Sequence, residues 1–253
     1  MDKKPENHMR NFGLIGKDIS YSFSQNYFTL KFKDEDITDA TYQNFDIQSI
    51  EDFKQQVLTT NNLAGLNVTI PYKESIIPFL DRLDKKAKKI GAVNTIKFTK
   101  KGNLKGYNTD IYGFKKSIKP HLKKHHKLAL ILGTGGASKA IAFVLKELNI
   151  TYHFVSREAS NNTKYTYDSL THEDISQHQI IINCSPVGTF PNVDEAPNIP
   201  YQGITAKYIL FDLIYNPSET LFLKHGKSKG AVTINGYNML VFQAEKSWQI
   251  WNK

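Results

Sequence analysis

Leu128-Ala129-Leu130-Ile131-Leu132-Gly133-Thr134-Gly135-Gly136-Ala137 is the stretch on which the fold turns. Its first five residues are apolar without alternation, the pattern of a strand buried on both faces of a parallel sheet. The glycines follow at once. A helix then begins, with apolar residues at Ala137, Ala140, Ile141, Val144, Leu145 and Leu148, the stripe of a helix packed on a sheet. Asn149 serves as its stop, and Thr151-Tyr152-His153-Phe154-Val155 reads as the next strand. Strand, glycine loop, helix and strand form the unit that holds a dinucleotide. Gly133 allows the tight turn, Gly135 lets backbone approach a pyrophosphate, and the helix N-terminus offers free N–H groups and a positive dipole end. The fingerprint's third glycine is replaced by Ser138, small enough for close helix–strand packing. After the second strand, where a NAD site places an acid for the ribose diol, the chain reads Ser156-Arg157-Glu158. Arg157, a planar cation with several donors, suits a 2′-phosphate and so favours NADP.

Upstream, strands and helices alternate as well, so an α/β layered fold is expected. Phe12 to Gly16 reads as a strand, followed by a loop over Ser20 to Ser24 and a helix over Tyr27 to Phe32. Ala40 to Phe45 is a second strand. Ile50, Phe53 and Val57 give helical spacing over Ile50 to Leu58. Leu63 to Ile70 is a buried strand stopped by Pro71, and helical segments are expected over Pro78 to Leu83 and Lys85 to Ile90. Residues 115–127 are crowded with lysine and histidine, which marks a domain boundary. His121 and His125 have metal-ligand spacing on a helix, but the surrounding lysines would repel a cation; this is an exposed basic connector.

With 253 residues the chain is long enough for two modest domains. No apolar run approaches the roughly 20 residues of a membrane span, and Met1 to His8 reads as a polar, disordered lead-in with no signal-peptide core. The single cysteine, Cys184, rules out an internal disulfide and fits a reducing, cytoplasmic compartment. The net charge of +9 comes from scattered lysine clusters without interleaved aromatics, so it describes solvated faces that attract small anionic ligands and not a nucleic-acid groove.

Eight segments, in order from Phe12 to Trp251, together resemble the shikimate dehydrogenase family. They are Ser22-Phe23-Ser24, Asn67-Val68-Thr69-Ile70-Pro71-Tyr72-Lys73, Gly91-Ala92-Val93-Asn94-Thr95, Asn108-Thr109-Asp110, Gly133-Thr134-Gly135-Gly136-Ala137, Asn183-Cys184-Ser185-Pro186-Val187-Gly188, Asp212-Leu213-Ile214-Tyr215-Asn216-Pro217, and Asn235 to Ala244. The resemblance implies two domains with a cleft between them. One is a substrate-binding α/β/α domain with a mixed sheet, 1–117 plus 235–253. The other is a Rossmann-like NADP-binding domain, 118–234.

The resemblance also implies roles. Ser22 and Ser24 would bind a substrate carboxylate. Thr69, Asn94, Asp110, Tyr215 and Gln243 would contact the substrate ring and hydroxyls. Lys73 would be the general acid/base beside Asp110. Gly133, Gly135, Gly136, Ala137, Ser156, Arg157, Leu213 and Gly236 would hold NADP(H), with Gly236 near the nicotinamide. The implied reaction is reversible, NADPH-dependent reduction of 3-dehydroshikimate to shikimate in aromatic amino acid biosynthesis. It involves no metal, nucleic acid or membrane, in a monomer or homodimer. Departures include Asp18, Tyr21 and Gln25 around the serine pair, and Ser156-Arg157-Glu158 followed by Asn161-Asn162 where relatives carry Asn-Arg-Thr and a second basic residue. The rival readings are a quinate/shikimate dehydrogenase using NAD and a catalytically inactive NADP-binding paralogue. Cys184 is expected to be a small buried residue and not a nucleophile.

Overall fold

The structure, a computed structural model, describes residues 9–20, 22–160 and 163–253. The expected lead-in over 1–8, Tyr21 and Asn161-Asn162 lie outside the described residues. By contacts the chain divides into Met1–Thr109 with Ala244–Lys253, and Asp110–Gln243.

The first unit is built on a six-stranded mixed sheet of order β2-β1-β3-β5-β6-β4. Its strands are β1 (Arg10–Gly16), β2 (Ala40–Asp46), β3 (Leu63–Val68), β4 (Arg82–Leu83), β5 (Thr95–Phe98) and β6 (Leu104–Tyr107). β1 runs parallel to β2 and β3, whereas β5 is antiparallel to both β3 and β6. Alternation along β1 sorts the two faces. Phe12 and Leu14 pack with Phe28 and Phe32 of α1 (Phe23–Asp34) and with Trp251, while Ile15 joins Phe53, Val57, Leu66 and Ile96 on the other side. The expected strand to Ile70 ends at Val68.

Two expected helices take other forms. Over 50–58 the chain makes a 3-10 turn, Ile50–Asp52, and then one π turn, Phe53–Val57. The Leu58 N–H reaches back to the Phe53 carbonyl at 3.2 Å, and Phe53 and Val57 are both fully buried, so the apolar spacing is honoured by a wider turn. Over 78–83 only Ile77–Phe79 is helical, and Arg82–Leu83 is a strand. Sheet pairing takes that backbone: the Asp81 N–H bonds to Leu104 O at 3.1 Å and the Asp84 N–H to Gly106 O at 2.8 Å. Asp84 then caps α2 (Lys85–Ile90), the helix expected over those residues.

The second unit carries a wholly parallel sheet of order β12-β11-β10-β7-β8-β9. The strands are β7 (Leu128–Leu132), β8 (Thr151–Ser156), β9 (Tyr165–Thr166), β10 (Ile180–Asn183), β11 (Ile209–Asp212) and β12 (Val232–Ile234). This is the doubly wound order, with its switch point between β7 and β10. Phe114 and Ile118 of α3 (Asp110–Ile118) and Ile141 and Val144 of α4 (Gly136–Glu147) cover one face, and Ile175 of α5 (His172–Gln177) and Phe222 of α6 (Leu221–Ser228) the other. Asn149 takes a left-handed φ of 56° just past α4, the expected stop.

The division falls earlier at the first crossing and later at the second than the expected 117/118 and 234/235. Phe114 and Ile118 bury against Ala129, Ile131 and Ile141, which draws α3 into the second unit. Met239 does the same for the start of α7 (Tyr237–Trp251), whose end, with Ala244 and Trp251, belongs to the first. The basic segment at 115–127 is thus largely a helix end and a connector inside one unit, where His125 bonds to the Lys207 carbonyl at 3.0 Å.

Candidate active-site residues

In the first unit the chemistry-bearing residues stand at one end of the sheet. β1 and β3 are parallel and end there, α1 starts there, and antiparallel β5 begins there with Thr95 beside Asn67. Ser22 caps α1 by accepting the Ser24 N–H on its Oγ at 3.2 Å. Ser24 is buried, beside the Tyr42 phenol, which burial pushes up. Tyr42 in turn donates to Asn67 Oδ1 at 2.9 Å.

Asn67 links the rest. Its Nδ2 reaches Asn94 O at 3.2 Å, Thr95 Oγ1 at 3.3 Å and Ser247 Oγ at 3.0 Å. Asn94 Oδ1 accepts the Thr109 N–H at 2.7 Å and the Thr109 and Thr95 hydroxyls, each at 3.1 Å. Three donors on one oxygen fix the Asn94 amide plane. Thr69 holds the turn that carries Lys73: its N–H bonds to Ile15 O at 2.8 Å and its carbonyl accepts the Tyr72 N–H at 2.9 Å. The Lys73 carbonyl accepts the Val93 N–H at 2.7 Å, which ties this turn to the Gly91–Thr95 segment. The structure therefore gathers Ser22, Ser24, Thr69, Lys73 and Asn94 at one sheet end. Tyr42, Asn67 and Ser247, which form the hydrogen-bonded chain behind Asn94, did not stand out in the sequence.

In the second unit Gly133 takes φ +103°, a conformation open to glycine, with its N–H on Val155 O at 2.8 Å. Gly135 caps α4 from extended backbone, and a Cβ added there would meet nothing within 4 Å. Ser138 is buried and donates to Gly135 O at 2.6 Å, so its hydroxyl braces the loop. The open face of Gly135 before a 12-residue helix is a cradle that a phosphate fits. Gly133, Gly135, Gly136 and Ala137 would hold the pyrophosphate there. Ser156 bonds to the Glu158 carbonyl, which leaves Arg157 and Glu158 exposed after β8.

At the far side of the switch point, Gly236 donates its N–H to Ile214 O at 2.9 Å, and a Cβ on it would lie 2.0 Å from Leu213 O, so only glycine fits. Tyr215 is half-buried in the turn after β11, and Asp110 and Gln243 are buried at the start of α3 and within α7. Gln243 donates to Leu240 O at 3.0 Å. Cys184 is half-buried, and enclosure of its thiol pushes the group up, away from thiolate chemistry. Sequence reasoning gave no role to Asn183, Asp212 or Thr220, although the Asp212 carboxylate accepts from both of the others. A polar residue closing each of the apolar runs Ile180-Ile181-Ile182 and Ile209-Leu210-Phe211 was the available signal.

Known proteins match this chain over most of its length. The family described as Shikimate dehydrogenase substrate binding domain matches residues 14–96. A protein of Methanosphaera stadtmanae named Shikimate dehydrogenase (NADP(+)) is 39% identical over 94% of this chain and 90% of its own length. The chain belongs to the shikimate dehydrogenase family. A shikimate dehydrogenase of the same printed name from Methanococcus maripaludis strain C6 is 42% identical over the same shares. Among solved shikimate dehydrogenases, one from Peptoclostridium difficile superposes with a TM-score of 0.81 at 39% identity, over 96% of this chain and 92% of that one. One from Thermus thermophilus, in complex with NADP(H) and shikimate, gives 0.84 at 26% identity, over 96% and 93%.

Proposed function

We propose that this protein is an NADP-dependent shikimate dehydrogenase that interconverts 3-dehydroshikimate and shikimate in aromatic amino acid biosynthesis. The observation that carries this is similarity over 94% of the chain to relatives named Shikimate dehydrogenase (NADP(+)). The open Gly135 cradle and Arg157 after β8 support NADP as the cofactor. The bound nicotinamide supplies or takes the hydride. Reduction of a carbonyl leaves negative charge on its oxygen, and the Lys73 ammonium both stabilises that charge and donates the proton from Nζ. Asp110 accepts a substrate hydroxyl. Ser22 and Ser24, at the positive end of α1, take the substrate carboxylate. Thr69, Asn94, Tyr215 and Gln243 complete the substrate contacts, and Leu213 and Gly236 the cofactor's. We assign Ser22, Ser24, Thr69, Lys73 and Asn94 of the first unit, with Asp110, Tyr215 and Gln243 of the second, to substrate and catalysis, and NADP binding to the second unit, in a cytoplasmic monomer or homodimer.

The test is absorbance at 340 nm with shikimate, quinate, NADP and NAD in all combinations. The reading expects shikimate with NADP to give the highest kcat/KM; equal or better turnover with NAD would mean that Glu158 governs the pocket. Arg157→Ala should raise the KM for NADP by roughly 10–150-fold, the worth of a charged hydrogen bond, and leave that for NAD nearly unchanged.

A further inference from the structure

Asp212 ends β11 with its carboxylate shut off from solvent. Asn183 Nδ2 at 3.1 Å and the Ile214 N–H at 3.0 Å donate to Oδ1, and the Thr220 hydroxyl donates to Oδ2 at 2.6 Å. All three donors are neutral, and no cation pairs with this carboxylate among the described residues. The titratable groups that feel it are Cys184 and Tyr201, both pushed up by burial and so uncharged; Asp110 also acts on Cys184, and it too is an acid. Burial raises the Asp212 carboxyl to about 6, so at neutral pH it is an ionised group without a counter-charge. Such a charge costs folding free energy. The three neutral donors satisfy its hydrogen bonds but none offsets its charge, which a cation brought from outside would do.

Position in the fold says which cation. A dinucleotide lies across the C-terminal strand ends at the switch point, with the 2′-position read after the second strand of the first half, here Arg157 after β8. The β10–β12 half then takes the nicotinamide nucleotide. Asp212 closes the middle strand of that half, and the turn beyond it is clamped on both sides: the Ile214 N–H goes to Asp212 and the Ile214 carbonyl accepts from Gly236. The nicotinamide ring is positive only when oxidised. We propose that the Asp212 carboxylate is the through-space counter-charge of the oxidised ring, so that the protein favours NADP+ over NADPH more than it would with a neutral residue there. This rests on the NADP reading above.

Dissociation constants for NADP+ and NADPH, measured separately by calorimetry without substrate at pH 8, test it. In Asp212→Asn the NADP+ constant should rise about tenfold relative to the NADPH constant, the size of one charge pair at intermediate distance in a protein. Thr220→Val removes a hydrogen bond but keeps the charge, and should leave the ratio of the two constants where it was. In the unsubstituted protein the same ratio should move toward NADPH as pH is lowered from 8 to 5 through the Asp212 titration; the 2′-phosphate is common to both nucleotides and cancels. That series decides the matter if Asp212→Asn does not fold. A ratio unmoved by both the substitution and pH, or moved equally by Thr220→Val, overturns the proposal. Failure of both nucleotides to bind overturns the NADP reading beneath it.

Discussion

Gly135 and Lys73 test the two ends of the reading at single atoms. Since a Cβ at Gly135 meets nothing and its backbone is extended, Gly135→Ala should change stability by less than about 0.5 kcal/mol. The methyl would nevertheless occupy the approach of the pyrophosphate, so the KM for NADP should rise at least about tenfold. An unchanged KM in a folded variant would place the phosphates elsewhere. Lys73→Ala should lower kcat by roughly 10²–10⁴-fold while shikimate still binds, because only the proton donor is lost; near-normal turnover would remove Lys73 from proton transfer. These residues differ in how they could be found. The glycines state a backbone requirement that any reader of the sequence can recover, whereas Lys73 is one lysine among many and stood out only through resemblance. Asn67 was illegible for another reason: its partner Ser247 lies 180 residues away, and no local pattern encodes a hydrogen bond of that reach.

Among the elements, those with a complete apolar stripe were legible, and those decided by pairing were not. β7 and α4 follow their periodicities because each buries a continuous face. Arg82–Leu83 carries no such signal and is a strand only because β6 lies beside it. The β5–β6 hairpin was also missed, since its register with β3 is a tertiary fact. α7 shows what such a fact costs to break. Its Trp251 donates Nε1–H to Ile96 O at 2.9 Å, and a Cβ on Gly65 would lie 2.3 Å from that same Nε1. The ring fits over β3 only because Gly65 is bare. Gly65→Ala should therefore destabilise the protein by roughly 1–3 kcal/mol in urea unfolding. A midpoint as little changed as that of Gly135→Ala would show that α7 can shift without loss.

For the molecule as a whole, acid response follows from four groups in Asp110–Gln243: His126, His178 and Asp212, which are buried, and His153, which is half-buried. His178 is fully buried, its Nδ1 sits 2.6 Å from the Asp174 carbonyl, and its Nε2 lies 2.9 Å from His153 Nδ1. Both rings cannot be protonated without two N–H groups meeting across that gap. His126 Nδ1 accepts the Lys123 N–H at 2.9 Å, a bond that protonation would break. Desolvation holds all three histidines below their usual value, with Lys164 acting further on His153 and His178. A depressed histidine contributes stability above about 6.5, where the unfolded ring is neutral too, and loses it as pH falls and the unfolded chain alone takes up protons. Asp212 works the other way: raised to about 6, it takes its proton in the folded state before an unfolded aspartate would, so acidification through that value adds stability. Each unmatched proton is worth at most about 1.4 kcal/mol per pH unit, so the carboxyl opposes the histidines in the unsubstituted protein. Asp212→Asn removes that opposition, and its Tm should fall between pH 7 and pH 5.5; adding His153→Gln should flatten the fall. A Tm of Asp212→Asn that does not fall over this interval would mean that the three histidines are protonated as readily in the folded chain as in the unfolded one.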